Sequence, residues 1–280
     1  MTTVAQELSH LLAASKFEII PLKNVDSRTQ YLPDGAMVSV TASPAKGQEA
    51  TLALTEQIQS RGLDLIPHLA ARMIEDRSHL EKLLTRMDTA GITRAFVVGG
   101  DATDPGEFTD AAQLLDAMVD IGGGITYIGI GGYPEGHPEI SKPALRAALV
   151  AKAPRASYVA TQMCFDVEAI VSWIREIRVA GIDLPVYVGM PGVADPVRLA
   201  SISARIGVGA SIRYVMKNRS FLLKLLRPGP YKPTKLVHDI ARACVAEDLG
   251  IGGFHFFTFN EIQRTVDWWR GELARAGGRS

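Results

Sequence analysis

Glu18 stands inside an apolar run, Phe17-Glu18-Ile19-Ile20-Pro21. Side chains alternate across a strand, so there it would point away from Phe17 and Ile19. Burial disfavours the ionised form of a carboxyl group, so a Glu turned into a barrel could donate a proton near neutrality. A short edge strand that shows the same carboxylate to water is the plain structural alternative. Asp101 ends the run AFVVGGD, where two glycines let backbone approach a ligand and the carboxylate can accept from ring N–H groups. Without a ligand, the same residues are a Gly-Gly-Asp turn. The densest polar stretch is Tyr133-Pro134-Glu135-Gly136-His137-Pro138-Glu139. Its two prolines stiffen a Tyr and a His that can stack on or hydrogen-bond a planar ligand. Gln162, in ATQMCFD, offers a neutral donor and acceptor for an amide-like ring edge, or a cap for its own backbone.

Arg213, Lys217, Arg219 and Lys224 form a basic segment. Arg213 and Lys217 share a face if the segment is helical. That face suits an anionic tail or a phosphate, and equally a solvated helix. His68, His137 and His255, with Glu18 or Asp101, are metal-ligand types. They lack the HxH or HExxH spacing of a metal site, so none is expected. The glycine-rich IGIGGYPEG does not continue as GxGxxG opening a helix, so it is no dinucleotide fingerprint. Cys164, between Met163 and Phe165, reads as core.

These side chains need elements to hold them. Short β-branched or aromatic runs fall at residues 17–20, 37–41, 64–68, 94–98, 126–131, 158–162, 185–189 and 254–258. Helical periodicity separates them over 49–60, 78–90, 167–180 and 233–248, with Gly62, Gly91, Gly181 and Gly250 as stops. A terminal helix is expected around Trp268 and Trp269, and a short N-terminal one at about 3–14. Eight strands with helical crossovers predict an α/β fold, a (β/α)8 TIM barrel formed as a single domain over 1–280. An open doubly wound sheet is the alternative. Thr41, His68, Asp101, Tyr133–His137, Gln162 and Asn260 then lie where strands end, the face on which such barrels gather function.

Apolar residues make up 47% of the chain and charged residues 21%, which speaks for a packed core and against disorder. Thirty basic residues balance thirty acidic ones, so no global field attracts nucleic acid or an anionic membrane. The two cysteines rule out a dense disulfide framework. With no signal segment and no long apolar span, the expectation is a soluble cytoplasmic protein without a nucleic-acid or membrane partner.

Taken in order, these motifs resemble the methylenetetrahydrofolate reductase family. FEIIP is similar to its Phe-Glu-Phe-Phe-Pro, and MVSVT, PHLA and VVGGD to its Val-Ser-Val-Thr, Pro-His-Leu-Thr and Arg-Gly-Asp strand ends. GGYPEGHPE, TQMCFD and HFFTFN resemble its Tyr-Pro-Glu-x-His-Pro-Glu, Thr-Gln-Phe-Phe-Phe-Asp and His-Phe-Tyr-Thr-Leu-Asn. The resemblance runs from residue 17 to 260 and implies a short, catalytic-domain-only member. Such an oxidoreductase reduces 5,10-methylenetetrahydrofolate to 5-methyltetrahydrofolate, a step of one-carbon metabolism and methionine biosynthesis, with hydride from NAD(P)H, usually through FAD. By matching position, Glu18 would be the general acid, Asp101 would contact the pterin and stabilise developing charge, and Gln162 would bind folate and nicotinamide in turn. Thr41, His68, Gly100, Asp101, Tyr133, His137, Lys152 and Gln162 would hold the cofactor.

The departures are specific. The family's arginine that grips the flavin diphosphate is Gly99, its Tyr-Gly after the second strand is Ala42-Ser43, and the stretch from His137 to Lys152 is a residue shorter. The family also has short members that work without flavin, passing hydride directly from NADH. NADH is therefore the favoured reductant, and FAD is left open. The arginine after the family's final Asn is Glu261, so the glutamate tail of the folate would fall to Arg213 or Lys217. The direction of reaction and homo-oligomer formation stay open as well. Two other classes compete: a metal-assisted barrel hydrolase using His68, His137 and Asp101, and a folate- or flavin-binding protein without turnover.

Overall fold

The computed structural model describes residues 2–42, 45–197, 199 and 229–277; Ser43 and the basic residues Arg213, Lys217, Arg219 and Lys224 lie outside them. The strands are β1 (Lys16–Ile19), β2 (Met37–Val40), β3 (Asp64–Ala70), β4 (Arg94–Val98), β5 (Tyr127–Gly132), β6 (Tyr158–Thr161), β7 (Val186–Pro191) and β8 (Ile251–Phe257). All pair in parallel in chain order, and β1 pairs with β8, closing the barrel. That pairing excludes the open sheet. The helices are α1 (Val4–Ala13), α2 (Val25–Arg28), α3 (Gly47–Ile58), α4 (Arg77–Thr89), α5 (Ala111–Ile121), α6 (Lys142–Lys152), α7 (Val167–Val179), α8 (Thr234–Ala246) and α9 (Ile262–Arg275).

Local chemistry sets the helix ends. Asp76, Asp110 and Asp166 cap α4, α5 and α7 by accepting from backbone N–H groups of the first turn, and Thr3 with Gln6 forms a capping box on α1. Gly91 and Gly181 follow α4 and α7 with φ of 68° and 80°, the left-handed conformation a C′ glycine supplies. The terminal helix α9 packs as expected. Phe17 meets the Trp269 ring edge-on at 5.7 Å, and Trp269 Nε1 donates to the Leu12 carbonyl at the end of α1.

Alternation along β1 sorts the chain into two layers. Phe17 and Ile19 face outward into the large apolar layer between strands and helices, while Glu18 faces inward. The inner layer holds Ile66, Phe96, Tyr158, Ala160 and Tyr187. Lys16, two residues before Glu18, is also inward and fully buried. Its ammonium lies 3.3 Å from the Tyr187 ring centre and 4.6 Å from that of Tyr158, with Met37 Sδ at 3.3 Å. Burial, with a smaller push from Arg94, lowers the Lys16 pKa to about 7, against a weaker pull from Asp64.

Asn260 was expected among the functional strand ends, but the structure uses it as a clasp. It adopts a left-handed φ of 62°, its side-chain oxygen accepts from Ile20 N and its side-chain amide donates to Ile20 O, both at 2.9 Å. Thr258 Oγ1 donates to the Glu18 carbonyl. These bonds tie the ends of β1 and β8 and so hold the backbone that carries Glu18. Among the described residues no helix is long and apolar enough to cross a membrane, and Cys164 and Cys244 are not joined in a disulfide.

Candidate active site

The expected residues gather in two neighbouring clusters rather than one. The first is a cavity of about 1680 Å³ at the ends of β4, β5 and β6, walled by α6 and α7. Gly100, Asp101, Tyr133, His137, Lys152 and Gln162 all line it. Gly100 takes a left-handed φ of 85°, which turns the chain before Asp101. Gly132 lacks the Cβ that would stand 2.5 Å from the Trp173 ring, so Trp173 can wall the cavity.

Each cavity residue is held by its own contacts. The Tyr133 and His137 rings meet edge to face at 5.6 Å. His137 Nδ1 accepts from Glu139 N, which leaves the ring proton on Nε2. Burial raises the Tyr133 phenol, helped by the negative charge of Asp101. Burial also pushes the Lys152 ammonium down to about 8, with Asp110 pulling the other way, and its Nζ reaches the Gly131 carbonyl at 3.5 Å. Gln162 spends its side-chain carbonyl on Met163 N at 2.8 Å, the capping use weighed above.

Arg72 fixes the loop that presents Asp101. Its backbone N–H donates to Gly99 O, its Nε to Ala102 O at 2.7 Å and its Nη2 to Thr103 O at 2.9 Å. Hydrogen bonds from a charged donor are worth about 1.5–3 kcal/mol each. Arg72→Ala is therefore expected to release residues 99–103 and weaken ligand binding in the cavity about tenfold, as read by titration of bound ligand.

The second cluster fills the mouth of the barrel. Glu18 Oε2 lies 3.0 Å from His255 Nε2 and 3.7 Å from His68 Nε2, and His68 Nε2 pairs with Ser39 Oγ at 2.7 Å. Burial lowers the His68 pKa to about 4, outweighing the pull of the Glu18 charge, with His255 pushing the same way as burial. His68 is thus neutral near pH 7, and 3.7 Å is too long for a hydrogen bond, so this contact is not an ion pair. His255 Nδ1 is buried with no partner among the described residues.

Glu18, Thr41 and His68 do not line the cavity, although Ala42 does. Thr41 gives its carbonyl to Thr51 Oγ1. Ser39, Arg72, Trp173 and the cavity cations Lys142 and Arg146 were not singled out for these places by motif or spacing, and His255 was named only as a metal-ligand type. Alternation would have found His255, because Phe254 and Phe256 beside it are outward core residues. Among the described residues no group of three or more His, Cys, Asp or Glu side chains is arranged to hold a metal ion, so the hydrolase alternative has no donor set there.

A family model described as methylenetetrahydrofolate reductase matches residues 21–267, most of the chain. The chain belongs to the methylenetetrahydrofolate reductase family. Methylenetetrahydrofolate reductase 2 of Saccharomyces cerevisiae is 30% identical over 89 residues, covering 30% of this chain and 15% of the yeast protein. Methylenetetrahydrofolate reductase 1 of Schizosaccharomyces pombe is 26% identical over 138 residues, covering 48% of this chain and 22% of its own length. These matches span under a quarter of either relative. The solved structure of 2,3-dimethylmalate lyase superposes with a TM-score of 0.52 at 13% identity, covering 99% of this chain and 89% of that one. That likeness concerns the barrel alone. Within the methylenetetrahydrofolate reductase family match lie Asp101, Gln162 and the whole cavity, whereas Glu18 precedes it by three residues.

Proposed function

We propose that this family member reduces 5,10-methylenetetrahydrofolate to 5-methyltetrahydrofolate with hydride from NADH. What carries the reading is the meeting of Asp101, Tyr133, His137, Lys152 and Gln162 on one cavity in a chain of this family, beside a barrel mouth that holds an inward carboxyl group. Glu18 is the general acid. Its proton goes to the substrate nitrogen as the carbon–nitrogen bond of the five-membered ring breaks, which exposes an iminium carbon. Asp101 faces the resulting cation and lowers its energy by its negative charge. Gln162 keeps amide N–H groups for the planar ring.

The cavity suits a dinucleotide. Arg72, Lys142, Arg146 and Lys152 line it and match an anionic diphosphate, and Tyr133 and Trp173 offer faces for a planar ring. A bound reduced nicotinamide or flavin dinucleotide supplies the hydride that completes the methyl group. A Cβ at Gly99 would meet nothing within 4 Å, so open space stands where the family's arginine would reach. This favours direct transfer from NADH over tightly held FAD. Two cysteines that form no disulfide and a soluble substrate suit the cytoplasm.

Anaerobic oxidation of NADH by the purified protein, with and without 5,10-methylenetetrahydrofolate and with no flavin added, tests the reading. Folate-dependent oxidation by protein without flavin absorbance is the expected result. Activity that needs added FAD would move the hydride route to flavin, and no oxidation in either case would overturn the reductase assignment.

A further inference from the structure

His255 has no work in the reaction as drawn, yet its ring is buried against the carboxyl group that does. The ring is 2% exposed, and its Nε2 lies 3.0 Å from Glu18 Oε2. Its other nitrogen, Nδ1, is buried and has no partner among the described residues. A buried N–H without an acceptor costs about 1–3 kcal/mol, more than a bare lone pair. The ring proton therefore belongs on Nε2, where it donates to Oε2. Glu18 Oε1, by contrast, accepts no hydrogen bond and is not sealed from solvent among the described residues. The two oxygens of one carboxyl group are thus unlike: Oε2 is anchored and Oε1 is presented.

We propose that His255 is the positioning residue of Glu18, anchoring Oε2 so that the transferable proton is carried on Oε1. The inference rests on the reductase reading of the site. The neighbours leave this task to His255. The neutral His68 ring gives its Nε2 to Ser39 and lies tilted against Phe96 at 4.8 Å, so it stays 3.7 Å from Oε2. The His255 ring also packs against Phe257 and Phe96, at ring distances of 5.1 and 6.2 Å. Phenylalanine would fill that space and lose only the hydrogen bond. Glutamine would lose ring packing and keep an N–H donor.

The test compares His255→Phe and His255→Gln with the wild type in folate-dependent NADH oxidation. A group mispositioned by about 1 Å loses up to about 100-fold in rate. His255→Phe is accordingly expected to lower kcat about 10- to 100-fold, with both KM values within about threefold, and His255→Gln to recover most of the loss. Wild-type kcat in the phenylalanine variant would overturn the proposal, as would a glutamine variant no better than it. Ring ¹⁵N spectra of the wild type need no substrate: a bare Nδ1 with a protonated Nε2 is expected, and a proton on Nδ1 would overturn the anchoring. If the wild type shows no turnover, the reductase reading fails, and the ring spectra then decide the anchoring by themselves. They also decide it if the phenylalanine variant does not fold.

Discussion

Glu18→Gln is expected to lower folate-dependent NADH oxidation by about 10²- to 10⁴-fold, the usual contribution of a positioned general acid. The substitution keeps the volume of the side chain in the barrel mouth. It also keeps an oxygen able to accept from His255 Nε2, which lies 3.0 Å from the native carboxyl group. What it removes is the proton that must reach the substrate nitrogen when the ring opens. The cavity side chains that would hold the dinucleotide are untouched, because Glu18 does not line that cavity. NADH affinity, read by fluorescence titration, should therefore stay within about twofold, while kcat collapses. Near-normal turnover would remove Glu18 from the chemistry, and equal losses in kcat and NADH binding would mean that the barrel mouth had been disrupted.

The second large effect concerns stability. Lys16 is fully buried, and its pKa falls to about 7 from an ordinary 10.5, chiefly by burial and secondarily by Arg94. Between these values the unfolded chain binds more protons than the folded one, so stability rises with pH from about 7 to about 10.5. Below pH 7 both states are protonated and the full penalty applies, on the order of 5 kcal/mol. The Tyr187 ring face at 3.3 Å opposes it, since a desolvated cation–π contact contributes about 2 kcal/mol. The burial term is the larger. Lys16→Met should thus stabilise the protein by about 2 kcal/mol at pH 7, roughly 5 °C in Tm. The gain should shrink as the pH approaches 10. Thermal melts of both proteins across this range check it, and a methionine variant less stable at pH 7 would show that the aromatic cradle outweighs desolvation.

Which elements were legible in the chain follows from what each one faces. The strands could be found because their outward residues, such as Phe17, Val38, Val97 and Phe256, belong to one apolar layer. The amphipathic helices α4 and α7 declared themselves through buried residues at helical spacing, and their glycine stops fell where φ is positive. Helix α5 carries the same signals, an Asp110 cap and buried Leu114, Leu115 and Met118 at helical spacing, although it is not among the helices that periodicity predicts. Helix α6 was illegible for a reason of its own. Only Leu149 and Lys152 of its residues are buried, and Lys142, Leu145, Arg146 and Ala148 line the cavity instead. A helix that turns toward ligand space carries no core stripe, so periodicity cannot report it.

The same contrast divides the site. Residue types and their order were enough to predict the barrel, that Glu18 points away from Phe17 and Ile19, and a polar set at the strand ends, because alternation and strand direction are local properties of the chain. Only the tertiary structure could decide partners. Closure of β1 on β8 brings His255 to Glu18 across 237 positions, turns Asn260 from a candidate ligand group into a clasp, and sets Lys16 among tyrosines from three other strands. Such meetings depend on which strands become neighbours and in what register, and no local pattern in the sequence encodes a contact made across the barrel.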